Sequence, residues 1–239
     1  MQCVILAGGL GTRMRPLTAS LPKALITVGG RPFADVQLSQ LRAWGFDDVV
    51  YSIGFGGDQI RAFVGDGSRW GMAVRYCDDG ADLQGTGGAL RVAAAAGVLD
   101  ATFGLIYGDS YLEFDAADVY MSHLAASMPA TMTVYRNSGR YDASNARVEQ
   151  GRVVRYEKGL VDPASAGMDH IDYGFSVLDL DAVLPLIPAA GASDLADVYK
   201  RLSAQGRLGA FEVTERFFEV GSPAGLAELE ARLALETGR

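Results

Sequence analysis

Two cysteines and two histidines are all that 239 residues hold of those types. Cys3 and Cys77 sit far apart in strand-like apolar segments, which excludes a disulfide framework or a zinc spacing and leaves them as reduced core residues. His123 and His170 lack a Cys or His partner at ligand spacing, so neither a zinc centre nor histidine catalysis is expected. Lysine is scarce too: Lys23, Lys158 and Lys200 are the only three among 21 basic residues. No run of about 18 apolar residues is present to span a bilayer, and the first strand begins at residue 2 with no basic segment before it. A cytoplasmic chain without a membrane partner is expected. A net charge of −8 argues against the basic face that nonspecific nucleic-acid binding needs, so any polyanion must be held locally.

The chain is otherwise ordinary globular material, 49% hydrophobic and 21% charged. Apolar runs and their punctuation predict a strand at 2–7, a helix at about 32–44 opened by Pro32 and closed by Gly45, and a strand at 48–53. A short helix near 57–65, a strand near 73–77, an alanine-rich helix near 87–97 and a strand at 103–107 follow. Such β-α-β alternation implies an α/β fold of Rossmann-like character: a central, mixed but mostly parallel sheet flanked by helices, with ligands beyond the carboxyl ends of its strands. The second half changes texture. Strands at 130–136, 144–149 and 152–157, the last two turning at Gln150-Gly151, read as mixed or antiparallel and suggest a smaller, substrate-binding lobe. A strand near 171–178, helices near 179–187 and 194–205, strands at 208–213 and 216–220 and a helix from about 223 to 236 complete the reading. With no repeat, linker or charge block, residues 1–239 read as one domain.

The most informative segment is Gly8-Gly9-Leu10-Gly11-Thr12-Arg13, which follows the apolar run ending at Leu6 and Ala7 and precedes Pro22-Lys23. Three glycines in four positions let consecutive backbone N–H groups approach an anion without side chains in the way. Arg13 adds a planar fork and Lys23 a compact point charge. Two familiar glycine motifs do not apply. A dinucleotide fingerprint starting at Gly9 needs a glycine where Met14 stands, and a Walker A loop needs a Gly-Lys pair that the chain lacks. The segment therefore reads as a polyphosphate-holding loop of another kind.

Further polar groups fall at strand ends. Leu83-Gln84-Gly85-Thr86-Gly87-Gly88 is a second glycine loop before a helix, able to present backbone groups to a base or ribose. Asp109 follows the strand 103–107 at the ligand-binding edge and is a candidate magnesium ligand, and Glu219, after another short apolar strand, is a candidate second ligand. Glu157-Lys158 offers a carboxylate for sugar hydroxyls and a cation for a sugar phosphate. Asp142, Asn145 and the Asp172-Tyr173-Gly174 turn carry the hydrogen-bonding groups of a polyol pocket.

In order and spacing these segments resemble the sugar-1-phosphate nucleotidyltransferases over nearly the whole chain. Gly8 to Arg13 with Pro22-Lys23 is similar to that family's signature. The resemblance implies a nucleotidyltransferase fold with residues 1–125 mainly binding nucleotide and 126–239 mainly binding sugar phosphate. It implies nucleotide contacts from Leu6, Ala7, Gly8, Gly9, Gly11, Thr12, Arg13, Lys23, Gln84, Gly85, Thr86, Gly87 and Asp109, with Arg13, Lys23 and Asp109 catalytic. It implies sugar-phosphate contacts from Asn145, Glu157, Lys158, Tyr173 and Gly174, magnesium on Asp109 and Glu219, and a nucleoside triphosphate and a sugar 1-phosphate as partners; a homodimer stays open. The chain looks most like short bacterial heptose-1-phosphate guanylyltransferases, with uridylyl-, cytidylyl- and thymidylyltransferases of hexose or muramate 1-phosphates, and noncatalytic nucleotide-sugar sensors, as alternatives. Two departures stand out. Glu219 and Ser222 occupy positions where the family usually has aspartate and threonine, and Asp172-Tyr173-Gly174 falls at the family's usual Asn-Ala-Gly segment.

Overall fold

The computed structural model describes residues 1–80 and 82–237, the last two by backbone alone. In chain order the elements are β1 (Gln2–Leu6), β2 (Thr27–Val28), β3 (Arg31–Pro32), α1 (Phe33–Ala43), β4 (Asp48–Ile53), α2 (Gly57–Val64), β5 (Ala73–Asp78), α3 (Gly85–Ala95), β6 (Thr102–Tyr107), β7 (Ser110–Tyr111) and α4 (Ala116–Ala126). There follow β8 (Ala130–Arg136), β9 (Ala146–Glu149), β10 (Arg152–Tyr156), β11 (His170–Asp179), α5 (Leu180–Val183), α6 (Leu195–Ala204), β12 (Leu208–Val213), β13 (Phe218–Glu219) and α7 (Pro223–Thr237).

Nine of these strands form one sheet in the order β5-β4-β1-β6-β11-β8-β12-β10-β9. The pairs β5–β4, β4–β1 and β1–β6 are parallel, whereas β6–β11 and β11–β8 are antiparallel. β1, β4 and β6 are buried along most of their length, as strands covered by helices on both faces must be. β1 leads through α1 to β4 on one side, while β6 lies on its other side. The crevice between the ends of β1 and β6 is therefore a topological switch point, where α/β sheets bind ligands.

Apolar side chains fill three cores. One, with Phe46, Tyr51 and Phe175, lies under α1, α2 and α4. A second, with Leu90, Phe103, Tyr199 and Leu202, lies on the other face under α3 and α6. The third joins Met14, Ile26, Val28 and Phe33 near the N-terminus to Tyr111, Phe218, Val220 and Leu229, and so ties the last helix back onto the first loop. Among the described residues no helix is long and apolar enough to cross a membrane.

The β9–β10 hairpin turns at Gln150 and Gly151, both with positive φ (49° and 72°), the requirement of a tight hairpin turn with the strands' own twist. Helix α4 is absent from the sequence reading. Met121 and Leu124 are exposed on it while Ala116, Val119 and His123 are buried, so apolar residues surround the helix and blur its period. Its start was legible: Asp115 caps it, accepting from the Ala117 N–H at 2.9 Å.

The close approach of β1 and β6 leaves no room for a side chain at Gly108. Its N–H donates to the Leu6 carbonyl at 2.9 Å, and a β-carbon there would lie 2.8 Å from that carbonyl oxygen and from the Ala7 β-carbon. Gly108→Ala is expected to cost about 1–3 kcal/mol, as overpacking does. Urea unfolding should register it as a lower midpoint at an unchanged slope.

Candidate active site

Leu6, Ala7, Gly8, Gly9, Lys23, Ser52, Asp79, Leu83, Gly85, Thr86, Ala89, Tyr107, Gly108 and Asp109 line a cleft of about 240 Å³ at the ends of β1, β4 and β6. The loop after β1 is held from below by Ala7, whose N–H donates to Ser52 O at 2.8 Å. It is held at its end by Met14, whose N–H donates to Gly11 O at 2.9 Å and whose side chain is buried. Between them, among the described residues, the N–H groups of Gly8, Gly9, Leu10, Gly11, Thr12 and Arg13 donate to no carbonyl or side chain. These six successive donors are left for solvent or a ligand, and Gly8 and Gly9 among them line the cleft. Of the three glycines only Gly11 needs positive φ (61°); a β-carbon there would press on Lys23 and Thr18 at 3.1 Å. Gly8 sits close under Asp79: a β-carbon there would lie 2.8 Å from an Asp79 carboxylate oxygen, which would have to move aside.

Lys23 reaches across the cleft and donates to Asp109 at 2.6 Å, both side chains being about one-fifth exposed. Asp109 O in turn accepts from the Val220 N–H at 2.9 Å, and β7 pairs with β13 so that Ser110 faces Glu219. Glu219 accepts from Ser222 Oγ at 3.2 Å and lies 3.8 Å from Arg13 Nη2. Arg13 is therefore beside the second acid rather than in the cleft wall, and its side chain is 65% exposed. Gly221 allows this pair: a β-carbon there would stand 2.7 Å from Glu219 Oε2 and 3.0 Å from Arg13 Nη2. Asp109, in the turn between β6 and β7, and Glu219, on β13, are the carboxylates of this region that could hold Mg²⁺, which takes few protein ligands and is completed by phosphate oxygens. Each now leans on a cation. No cluster of three or more His, Cys, Asp or Glu side chains among the described residues makes an all-protein cage.

The second glycine loop is latched to the start of α6. Gly87 N–H donates to Ser193 O at 2.9 Å and Ser193 N–H to Gln84 O at 2.8 Å. Thr86 Oγ1 donates to Asp194 and accepts from the Leu195 N–H, both at 2.8 Å. Gln84 lies outside the cleft lining, its amide held by the Asp82 carbonyl and by Arg91. The loop presents Gly85, Thr86 and Leu83 to the cleft, while Gly87 and Gln84 hold its shape.

On the other lobe Asn145 Oδ1 accepts from the Asp172 N–H at 2.9 Å. Glu157 is bound outward by Lys200 at 2.7 Å and by Arg155 at 3.0 Å, and these two cations hold its carboxyl below the usual range. Lys158 leans over the ring of the cleft residue Tyr107, 5.9 Å from its centroid, and close enough to Asp172 and Asp194 to favour their ionised forms. Tyr173 is turned into the core against Phe114, Tyr135 and Phe217 and offers no side chain to a ligand. Gly174 (φ 104°) lets this strand bulge past Ser110, whose Oγ a β-carbon would meet at 2.9 Å. Asp172 accepts from Tyr107 and Tyr156 hydroxyls, both at 3.3 Å, and its burial raises its carboxyl above the usual range.

A profile of the nucleotidyl transferase family matches residues 2–151. The chain belongs to that family. It is 30% identical over 99% of its length to a glucose-1-phosphate thymidylyltransferase of Streptomyces griseus, covering 67% of that protein. It is 29% identical over 86% of its length to a mannose-1-phosphate guanylyltransferase of Mycobacterium tuberculosis. The chain spans only 56% of the mycobacterial relative's length. The fold is that of HddC from Yersinia pseudotuberculosis, solved with GMP-PN, at a TM-score of 0.76 and 22% identity over 97% of this chain and 99% of that one.

Asp79, which the motif reading passed over, lines the cleft with a carboxyl shifted well above its ordinary range. It stands just beyond β5, its N–H on Ile53 O at 2.9 Å, and among the described residues its carboxylate has Ser52 Oγ, at 3.3 Å, as its side-chain hydrogen-bond donor. Burial raises its pKa to about 6, against the Ser52 hydrogen bond and with help from Asp78. The signal available was its place at a strand's carboxyl end, the same argument that singled out Asp109. Raised in the folded state, this pKa makes ionised Asp79 a cost to stability that is absent below about pH 4 and complete above about pH 6. Asp79→Asn should therefore melt higher than the parent at pH 8, by roughly 1 kcal/mol after solvent screening or about 2–4 °C, and not at pH 3. Thermal melts at the two pH values check it.

Proposed function

We propose that this chain transfers a nucleoside monophosphate from a nucleoside triphosphate to a sugar 1-phosphate. An oxygen of the sugar phosphate attacks the α-phosphorus in line, a new P–O–P bond forms, and the bond to the β-phosphate bridging oxygen breaks to release pyrophosphate. The observation that carries this reading is the run of six unused N–H groups from Gly8 to Arg13 beside the Lys23–Asp109 pair. Fixed donors aimed at a polyphosphate stabilise charge that builds on the leaving group, with little reorganisation during reaction. Arg13, exposed and loosely paired, can swing from Glu219 to the pyrophosphate oxygens, while Lys23 steadies the triphosphate. Lys158 approaches from the other lobe as the cation for the sugar phosphate, so the two substrates are oriented across the cleft and little covalent work is left to the protein. Asp109 and Glu219 would hold Mg²⁺, which when bound supplies charge neutralisation between the phosphates.

In finer detail we propose GTP and D-glycero-D-manno-heptose 1-phosphate as the substrates, residues 1–125 and 126–239 as their respective main binding regions, and the cytoplasm as the compartment. The guanylyltransferase relative supports the base, and the heptose rests on the sequence resemblance alone. Pyrophosphate release across the common nucleoside triphosphates, a panel of sugar 1-phosphates and Mg²⁺ tests this directly. One productive pair names the substrates; release with no pair sinks the reading. Arg13→Ala is expected to fold normally and lose about 10²- to 10³-fold in kcat/KM, as removal of other preorganised donors does. Lys158→Ala should raise KM for the sugar phosphate while KM for the triphosphate stays within about twofold, a split that steady-state kinetics resolves.

A further inference from the structure

Most polar side chains lining the cleft are already engaged. Lys23 and Asp109 bind each other, Thr86 binds Asp194 and the Leu195 N–H, and Tyr107 donates to Asp172. Asp79 is the exception: among the described residues it is the lining carboxylate without a cationic partner, and Ser52 Oγ meets only its Oδ1. Its other oxygen lies over Gly8, 2.8 Å from where a β-carbon would be. The same cleft is also lined by the apolar Leu6, Leu83 and Ala89, and Leu83 lies beside the contact of Gly8 with Gly54. A carboxylate without a cationic partner is acceptor-only, so in a cleft wall shared with apolar side chains it suits a flat ring that presents N–H donors.

We propose that Asp79 is the base-selecting residue of this chain, its carboxylate accepting from two adjacent N–H groups on one edge of the base, as guanine presents at N1 and its 2-amino group. This rests on the nucleotidyl transfer reading and deepens it. Uracil and thymine offer one N–H flanked by two carbonyls, whose oxygens a carboxylate repels; cytosine and adenine offer one amino group beside a bare ring nitrogen. A site built around a charged acceptor rejects a base lacking the matching donor, because the acceptor is then desolvated and unpaired. The raised pKa of Asp79 agrees with an acid waiting for donors. The titratable and charged groups near it are Asp78 and Cys77 on its own strand, Asp78 being 3.8 Å from Arg61 of α2, and the Lys23–Asp109 pair across the cleft, with Ser52 as its hydrogen-bond donor.

Inosine triphosphate, which keeps the N1–H and lacks the 2-amino group, isolates the second hydrogen bond. With the full chain, Mg²⁺ and the productive sugar 1-phosphate, kcat/KM for GTP should exceed that for ITP by about 10- to 100-fold, the range for a hydrogen bond to a charged group. Asp79→Asn should collapse that ratio to within about threefold, chiefly through KM, and should narrow the preference for GTP over UTP. A parent GTP/ITP ratio near one, or a ratio unchanged in Asp79→Asn, overturns the proposal. Equilibrium binding of GDP against IDP separates this from failure of the catalytic reading. If no pair turns over yet GDP binds at least tenfold more tightly than IDP in the parent and not in Asp79→Asn, the base role stands and the transfer reading falls. Equal binding of the two nucleotides, or binding of neither, overturns the base role.

Discussion

The contact of β1 with β6 at their carboxyl ends is the constraint on which the site rests. Gly108 lies against Leu6 and Ala7 so closely that only hydrogen fits at its α-carbon. That approach brings the loop after β1 and the acid after β6 to opposite lips of one crevice. Parallel strands make this arrangement possible because every loop that leaves their carboxyl ends emerges at the same edge. The charges of the site follow from this backbone contact, and without it Lys23 and Asp109 would have no reason to meet.

Two ion pairs then knit segments that are distant in sequence. Lys23 with Asp109 bridges the first loop to β6, and Arg13 with Glu219 bridges the same loop to the segment before α7. Neither pair is fully buried, so their net stabilisation is modest, and the third core supplies the packing that keeps them in reach. Met14 beside Arg13, and Phe218 and Val220 on either side of Glu219, are all buried in it. Each acid is thereby held next to a cation that could turn to phosphate, a charge balance suited to accepting a metal and a polyanion together. The second glycine loop is organised differently. Its glycines serve to fit Ser193 of the other lobe, whose carbonyl a β-carbon on Gly85 would meet at 2.5 Å.

Much of this was legible beforehand, for a physical reason in each case. The glycine-rich turn after a buried strand, the acid at the end of Thr102–Tyr107 and the alternation of strand and helix are local signals, since backbone freedom and strand burial are properties of neighbouring residues. Helix α4 escaped because Met121 and Leu124 face solvent and spoil its period. Glu157 and Lys158 lie just past the end of β10, where spacing along the chain does not tell which partner each takes, and the Glu157 carboxylate pairs with Lys200. Tyr173 and Gln84 belong with it: each has the right chemistry, and each spends it on the fold.

The sequence by itself determined the class of sheet, the presence of a glycine-rich loop after the first strand and the identity of the acid at the end of Thr102–Tyr107. These depend on glycine, burial and strand order, all of which are written locally. Only the tertiary structure decided which cations meet which acids, which glycines line the cleft and which pack against protein, and that Asp79 lines the cleft without a cationic partner among the described residues. Those are relations between side chains tens of residues apart, set by how strands are ordered in the sheet and by the return of α7 to the first loop, and no spacing along the chain encodes them.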